Sequence, residues 1–251
     1  MASELRIIGL KLPGDVTPGL DLGRALVDAA QAQGLAFTSG DIVVVTSKIV
    51  SKAEGQLLDL DTITPSPFAE EVARAHGRDP RLVEVVLRES RRVVKMDLRT
   101  LIVETHHGLV CANAGVDQSN VAGDTIVALL PADADASARR LRQALRDLTG
   151  ADVAVVISDT FGRPWREGFT NVAIGVAGME PLKDYRGKPD TEGHVLQATV
   201  LAVADELASA AELVMGKVEG IPVAVVRGYP YTPGDGTAAT MIRPRETDLF
   251  R

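Results

Sequence analysis

Residues 151–160 read ADVAVVISDT, a run of small and β-branched apolar residues that stops abruptly at Ser158, Asp159 and Thr160. Two other runs share this plan, Asp41-IVVV-Thr46-Ser47-Lys48 and Pro222-VAVV-Arg227-Gly228. A short Val/Ile run bounded by turn residues is the pattern of a strand buried on both faces, because neither face needs polar side chains. Helical patterns lie around these runs. Leu22, Ala25, Leu26 and Ala29 follow Asp21 with Gly34 as the stop, Leu141, Leu145 and Leu148 lead to Gly150, and Asp79-Pro80 opens a helix carrying Leu82, Val85 and Val86. Strands alternating with helices predict an α/β or α+β architecture. The alanine-rich segment from about 194 to 215, with Asp205, Glu206 and Glu212 as its acidic breaks, reads as a buried or interface helix. The Pro-rich stretch 62–68 reads as a loop and candidate boundary, and the Gly-rich stretch 229–238 as a mobile surface loop. With no low-complexity linker, residues 1–251 are taken as one domain with room for two subdomains.

A net charge of −7 with 4% aromatic residues gives neither the basic footprint nor the stacking platforms of a nucleic-acid binder. No apolar stretch approaches the roughly 18 to 20 residues of a membrane span, and the start MASELRIIGLKLPG lacks the pattern of a signal peptide, so a cytoplasmic protein is expected. The single cysteine, Cys111, cannot form an intramolecular disulfide and excludes cysteine-based zinc sites of the four-ligand kind. An acidic chain still binds anions wherever its lysines and arginines converge, because binding responds to the local field.

No P-loop pattern and no strand-linked G-x-G-x-x-G occurs. Asp117 in Ala112-NAGVDQS-Asn120 and Asp159-Thr160 place carboxylates beside small polar residues. Mg²⁺ or Mn²⁺ with nucleoside phosphates needs one or two carboxylates, the other positions going to phosphate oxygens and water. Taken singly, an Asp after a Gly is also a turn residue, and a strand-end Asp-Thr is also a helix cap. Ser47, Lys48, Ser51 and Lys52 suit phosphate oxygens, or a solvated strand end. Arg163, Arg166 and Arg227 offer the fork that clamps carboxylate or phosphate, with surface salt bridges as the alternative. Cys111 lies in an apolar run and reads as core, and His106-His107, as strand neighbours, point to opposite faces and do not share an ion. Trp165 covers a ligand or packs; the sequence supports both.

In chain order, Leu12-Pro13, Thr46-Ser47-Lys48-x-x-Ser51-Lys52-x-Glu54-Gly55, Ala114-Gly115-Val116-Asp117-x-Ser119-Asn120, Ser158-Asp159-Thr160-x-Gly162-Arg163-x-Trp165-Arg166-x-Gly168 and Val223-x-Val225-Val226-Arg227-Gly228 resemble the F420-0:gamma-glutamyl ligase family over nearly the whole chain. The resemblance is closest to the actinobacterial form, in which this ligase precedes a flavin-binding, nitroreductase-like domain; the present sequence ends near where that domain would begin. It implies a two-part α/β ligase fold and a homodimer. It also implies a GTP-dependent amide ligase that adds L-glutamate to F420-0, then extends the tail of F420-n by γ-linked glutamates. Mg²⁺ or Mn²⁺ is implied as the divalent ion, with K⁺ assisting. By position, the loop Leu12, Pro13, Gly14, Asp15, with Ser47, Lys52 and Asn120, matches nucleotide contacts, as do Met215, Gly216 and Lys217. Asp117, Asp159 and Thr160 match metal ligands, and some archaeal members carry an amide or acidic side chain at the position of Lys217. Lys48 is then expected to offset phosphate charge, and Arg163, Arg166 and Arg227 to hold anionic substrates. A metal-dependent nucleotide phosphohydrolase, a ligase for another acidic acceptor, or a non-catalytic binding module are the competing readings.

Overall fold

The computed structural model describes residues 4–97, 100–118 and 123–249. Along the chain these form β1 (Arg6–Leu10), α1 (Leu22–Ala32), β2 (Ile42–Thr46), α2 (Ser47–Ala53) and β3 (Leu57–Asp59), then α3 (Pro67–His76), α4 (Pro80–Arg88), β4 (Ser90–Met96), β5 (Leu101–Thr105) and β6 (Val110–Ala112). There follow β7 (Ile126–Ala128), α5 (Ala134–Thr149), β8 (Ala154–Arg163), β9 (Arg166–Ala177), β10 (Lys183–Asp184), β11 (Val200–Leu201), α6 (Val203–Met215) and β12 (Val223–Arg227). The mixed α/β class is the one the alternating pattern predicts.

The main sheet has the order β1-β12-β2-β8-β9, so the three apolar runs are its central strands. Only β2 and β8 are parallel in it. Their side chains alternate between two cores, as a strand period of two requires. Val43, Val45, Val155, Ile157, Val223 and Val225 face α1, α2 and α5, while Ile42, Val44, Ala154, Val156, Ala224 and Val226 face α6. Burying one such aliphatic side chain is worth roughly 1.5–3 kcal/mol, so coverage on both sides explains why these runs contain no polar residue. The helices start where the sequence signals them. Asp21 accepts from the Arg24 amide at 3.0 Å at the head of α1, Asp79 caps α4 through the Arg81 amide at 2.8 Å, and Gly150 ends α5 in the left-handed region.

Residues 57–129 leave the main sheet and return. They form the two-stranded β3–β7 sheet and the β4-β5-β6 sheet, packed with α3 and α4 around small cores that include Leu60, Val85, Val127, Leu101 and Val103. The Pro-rich stretch 62–68 lies near the start of this excursion, where Ser66 caps α3 by accepting from the Ala69 amide at 3.2 Å. Among the described residues no helix is long and apolar enough to cross a membrane.

One expectation needs correction and a second gains detail. The segment from 194 to 215 is not one helix: α6 starts at Val203, and Val200–Leu201 pairs instead with Lys183–Asp184. The Asp190 carboxylate accepts from the His194 amide at 2.8 Å and so holds a turn ahead of it. The stretch 229–238 is the irregular surface segment expected, anchored to the fold at several points. Tyr229 and Tyr231 lean on the α6-side core, and Ala238 is buried in it. A Cβ at Gly236 would stand 2.4 Å from Pro181 Cδ and 2.8 Å from the Met179 carbonyl oxygen, so glycine serves here for close approach.

Candidate active site

Because β2 and β8 are parallel, Thr46 and Ser158 are register partners and leave the sheet at the same end. Leu10 pairs with Val223 and Val223 with Val45, so the exit of β1 and the entry to β12 share that end. Four connections therefore converge there: the loop after β1 with Leu12, Pro13, Gly14 and Asp15, the α2 segment, the extension of β8, and residues 216–222 ahead of β12. Ligands of open α/β sheets gather outside the carboxyl ends of strands for this reason.

α2 begins on the residue after β2, and its seven residues put Ser47 with Ser51, and Lys48 with Lys52, on shared faces four residues apart. The Ser47 hydroxyl donates to Asp159 Oδ1 at 2.9 Å. The Lys48 ammonium lies 2.6 Å from Asp117 Oδ2. Asp117 is brought in from the excursion by its backbone, which exchanges two hydrogen bonds with Ala128 at 3.0 and 2.8 Å. The turn before it is tight: Asn113, Ala114 and Gly115 have φ of 53°, 55° and 71°, and Arg78 donates to Asn113 Oδ1 at 2.6 Å. A left-handed alanine costs about 1–2 kcal/mol, so the surrounding contacts must hold this turn.

Burial pushes the Asp159 carboxyl up from its ordinary value. The Ser47 hydroxyl and the Thr160 amide pull it back, the nearby Asp117 charge raises it further, and the Lys48 charge lowers it. Ser158 Oγ beside it is buried without a partner among the described residues. Two carboxylates in one field, one of them paying to stay ionised, fit one divalent cation whose other positions go to phosphate oxygens and water. Among the described residues no group of three or more His, Cys, Asp or Glu forms a cage on its own.

Thr160, expected beside Asp159 as a metal ligand, is turned to the other face of β8. Its hydroxyl donates to Asn171 Oδ1 at 2.7 Å and accepts from Lys217 Nζ at 2.7 Å, under the end of α6. Met215 is core, Gly216 turns the chain at φ 60°, and Lys217 alone of these three points a polar group toward the strand end. Asn120 lies outside the described residues.

Arg227 is not at this site. β12 runs antiparallel to β2, with Val226 opposite Ile42, so the residue after that apolar run emerges at the far end of the sheet. Its guanidinium clamps Asp41 with two bonds of 2.7 Å and also donates to the Ala36 carbonyl at 2.8 Å. Arg163 and Arg166 pair across the tip of the β8–β9 hairpin, beyond Thr160. Arg163 is occupied there with the Gly168 carbonyl at 3.2 Å and the Glu167 carbonyl, while Trp165 is 76% and Phe169 78% exposed. Cys111 is buried, and burial, followed by the Asp159 charge, pushes its thiol up to about 12, so it is no nucleophile at neutral pH. His106 and His107 contact different carbonyls, of Arg88 and Ala132, at 2.8 and 3.1 Å.

Sequence reasoning missed Asn171 and gave Glu212 no role. Asn171 is 2% exposed, and Glu212 Oε2 accepts from its Nδ2 at 2.8 Å. A buried asparagine leading into the apolar run VAIGV was the available signal, since buried polar groups need partners.

The profile of the family described as F420-0:Gamma-glutamyl ligase matches residues 9–228. The chain is 45% identical over 250 residues to the coenzyme F420:L-glutamate ligase of Methanothermobacter thermautotrophicus, covering 98% of this chain and 99% of that protein. It is 46% identical over 252 residues to the protein of the same name from Methanopyrus kandleri, covering 98% of each. With the Methanocaldococcus jannaschii protein of that name it shares 42% over 249 residues, covering 99% of this chain and 97% of the other. On this similarity, running from the loop after β1 through both strand-end segments to β12, the chain belongs to the F420-0:gamma-glutamyl ligase family.

Proposed function

We propose that this protein is a GTP-dependent ligase that joins L-glutamate to coenzyme F420-0 and then lengthens the tail of F420-n through γ-linked glutamates. The observation that carries this reading is the meeting of Ser47, Lys48, Asp117 and Asp159 at one end of the sheet in a chain so similar to ligases named for those substrates. A carboxylate does not react with an amine in water, so it must first be activated. In the proposed route the F420-0 carboxylate oxygen takes the γ-phosphoryl group of GTP as the bond to GDP breaks. The glutamate nitrogen then attacks the acyl carbon, the carbon–oxygen bond to phosphate breaks, and the nitrogen loses a proton.

Such chemistry asks the protein for position and charge neutralisation more than for a nucleophile. Lys48 and Lys52, one turn apart, would offset phosphate charge, while Ser47 fixes the Asp159 carboxylate. Residues 12–15, Asn120 and the turn of Gly216 and Lys217 would hold the nucleotide, with Met215 anchoring that turn in the core. Asp117 and Asp159 would hold Mg²⁺ or Mn²⁺, which when bound neutralises phosphate charge. Arg166 is the arginine best suited to an anionic substrate, because Arg163 is occupied in its own turn. GDP and phosphate should appear only when GTP, divalent metal, F420-0 and L-glutamate are all supplied. Equal turnover without glutamate would replace this reading with a phosphohydrolase.

A homodimer is part of the same proposal, and the projecting β8–β9 hairpin supports it: two large apolar side chains so exposed on one hairpin favour burial against another protein surface. Phe169→Asp is expected to convert the dimer to a monomer in analytical ultracentrifugation, with an unchanged circular dichroism spectrum. A dimer that persists at micromolar concentration would remove the hairpin from the interface.

A further inference from the structure

On the α6 face of β8, next to Asp159 in sequence, four side chains close a ring. Lys217 Nζ donates to Thr160 Oγ1 at 2.7 Å, the Thr160 hydroxyl donates to Asn171 Oδ1 at 2.7 Å, Asn171 Nδ2 donates to Glu212 Oε2 at 2.8 Å, and Glu212 Oε1 lies 2.8 Å from Lys217 Nζ. Without the ammonium, the two oxygens it touches are left, a hydroxyl and one carboxylate oxygen, hard donors of the kind that take a K⁺, Mg²⁺ or Mn²⁺ ion, with the Asn171 amide behind them holding both in place. The ring is anchored on its other side. Ser209 of α6 donates to the Asn171 carbonyl at 2.8 Å and shares a 2.9 Å bond with Thr170, so strand and helix hold the oxygens in place. The Glu212 and Thr160 side chains come from rigid elements, whereas Lys217 reaches in from the turn that follows α6.

We infer that the Lys217 ammonium is a tethered cation, occupying a seat that would otherwise hold a second metal ion. The chain then carries one exchangeable divalent ion, at Asp117 and Asp159, and needs no K⁺ on the α6 face of the strand. Thr160 cannot serve as a ligand in that seat while Lys217 fills it, because the ammonium takes the lone pair aimed there and the hydroxyl proton is committed to Asn171. The permanent charge also places a positive group beside the phosphate-binding end at every stage of turnover. The ion at Asp117 and Asp159 and the role of the charge in turnover rest on the proposed function; the occupancy of the seat does not.

The test is to count Mn²⁺ in the full chain by equilibrium dialysis and elemental analysis, without nucleotide, for the unaltered protein, Lys217→Gln and Lys217→Arg. Lys217→Gln replaces the ammonium with an amide whose oxygen completes the set, and is expected to bind one Mn²⁺ more than the unaltered chain. Lys217→Arg keeps the charge and is expected to match the unaltered chain. Lys217 is largely exposed and lies outside the helices and strands, so both variants should fold, with melting curves as the check. Equal counts in the unaltered chain and Lys217→Gln would overturn the inference, as would an extra ion in Lys217→Arg. The absolute count bears on Asp117 and Asp159 and the difference bears on Lys217, so the two readings fail separately.

Discussion

Asp159→Asn is expected to lower turnover at least about a hundredfold at saturating GTP, the scale on which a single preorganised electrostatic contact counts in a dry site. The same change should raise the stability of the metal-free protein at neutral pH. Burial raises the Asp159 carboxyl in the folded state. A raised carboxyl contributes no penalty below its unfolded value, near 3.8, and costs stability as the pH climbs through the folded value and the buried group ionises. Asparagine keeps the shape and can still accept from Ser47, without that cost. Thermal unfolding in a chelator should therefore show the variant melting above the unaltered protein at pH 7, with the gap closing as the pH falls toward 4. Unchanged turnover at saturating metal would remove Asp159 from the ligands. A variant that melts lower at pH 7 would show that the carboxylate stabilises the fold, the opposite sign.

Arg227→Ala should do the reverse, damaging the fold and sparing the chemistry. Asp41 is 1% exposed and its carboxylate is held by the Arg227 guanidinium on both oxygens. Removing one partner of a buried ion pair typically costs about 3–5 kcal/mol, because the remaining charge is stranded. The Thr38 amide still donates to Asp41 Oδ2 at 2.8 Å, which softens the loss without cancelling it. For a chain of this size the melting temperature should fall by of order 10 °C. Activity per folded molecule should stay within about twofold, since the residue lies at the far end of β12 from the candidate site. A large rise in KM with unchanged melting would return Arg227 to the substrate-binding residues.

The central strands and several helices were legible because their signals are local. An apolar run covered on both sides needs no knowledge of the partner, and Asp21, Asp79 and Gly150 mark helix ends through bonds made within a few residues. Strand direction is not local. The same run ending in Arg227 looks equivalent to the one ending in Asp159 until antiparallel pairing sends its polar end away. The helix expected from 194 to 215 failed at its first half for a related reason, since alanine content does not reveal that Val200–Leu201 finds a strand partner. Within the candidate site, Asp117, Asp159, Ser47 and Lys48 could be nominated by residue type. The division of Asp159 and Thr160 between two faces followed only once α2 and α6 were seen on opposite sides of β8.

The placement of β12 between β1 and β2 has a consequence for how the chain comes off the ribosome. Residues 223–227 are the shared neighbour of 6–10 and 42–46, so β1 and β2 have no join until a segment almost two hundred residues further along the chain has been made. Contacts so distant in sequence pay their loop-closure entropy before any return, which makes folding slow. Through that interval β1 and β2 present unpaired edges, the kind of surface that recruits another chain. β12 is thus the strand that closes the main sheet, and a chain truncated before residue 223 would leave β1 with nothing to join it to β2.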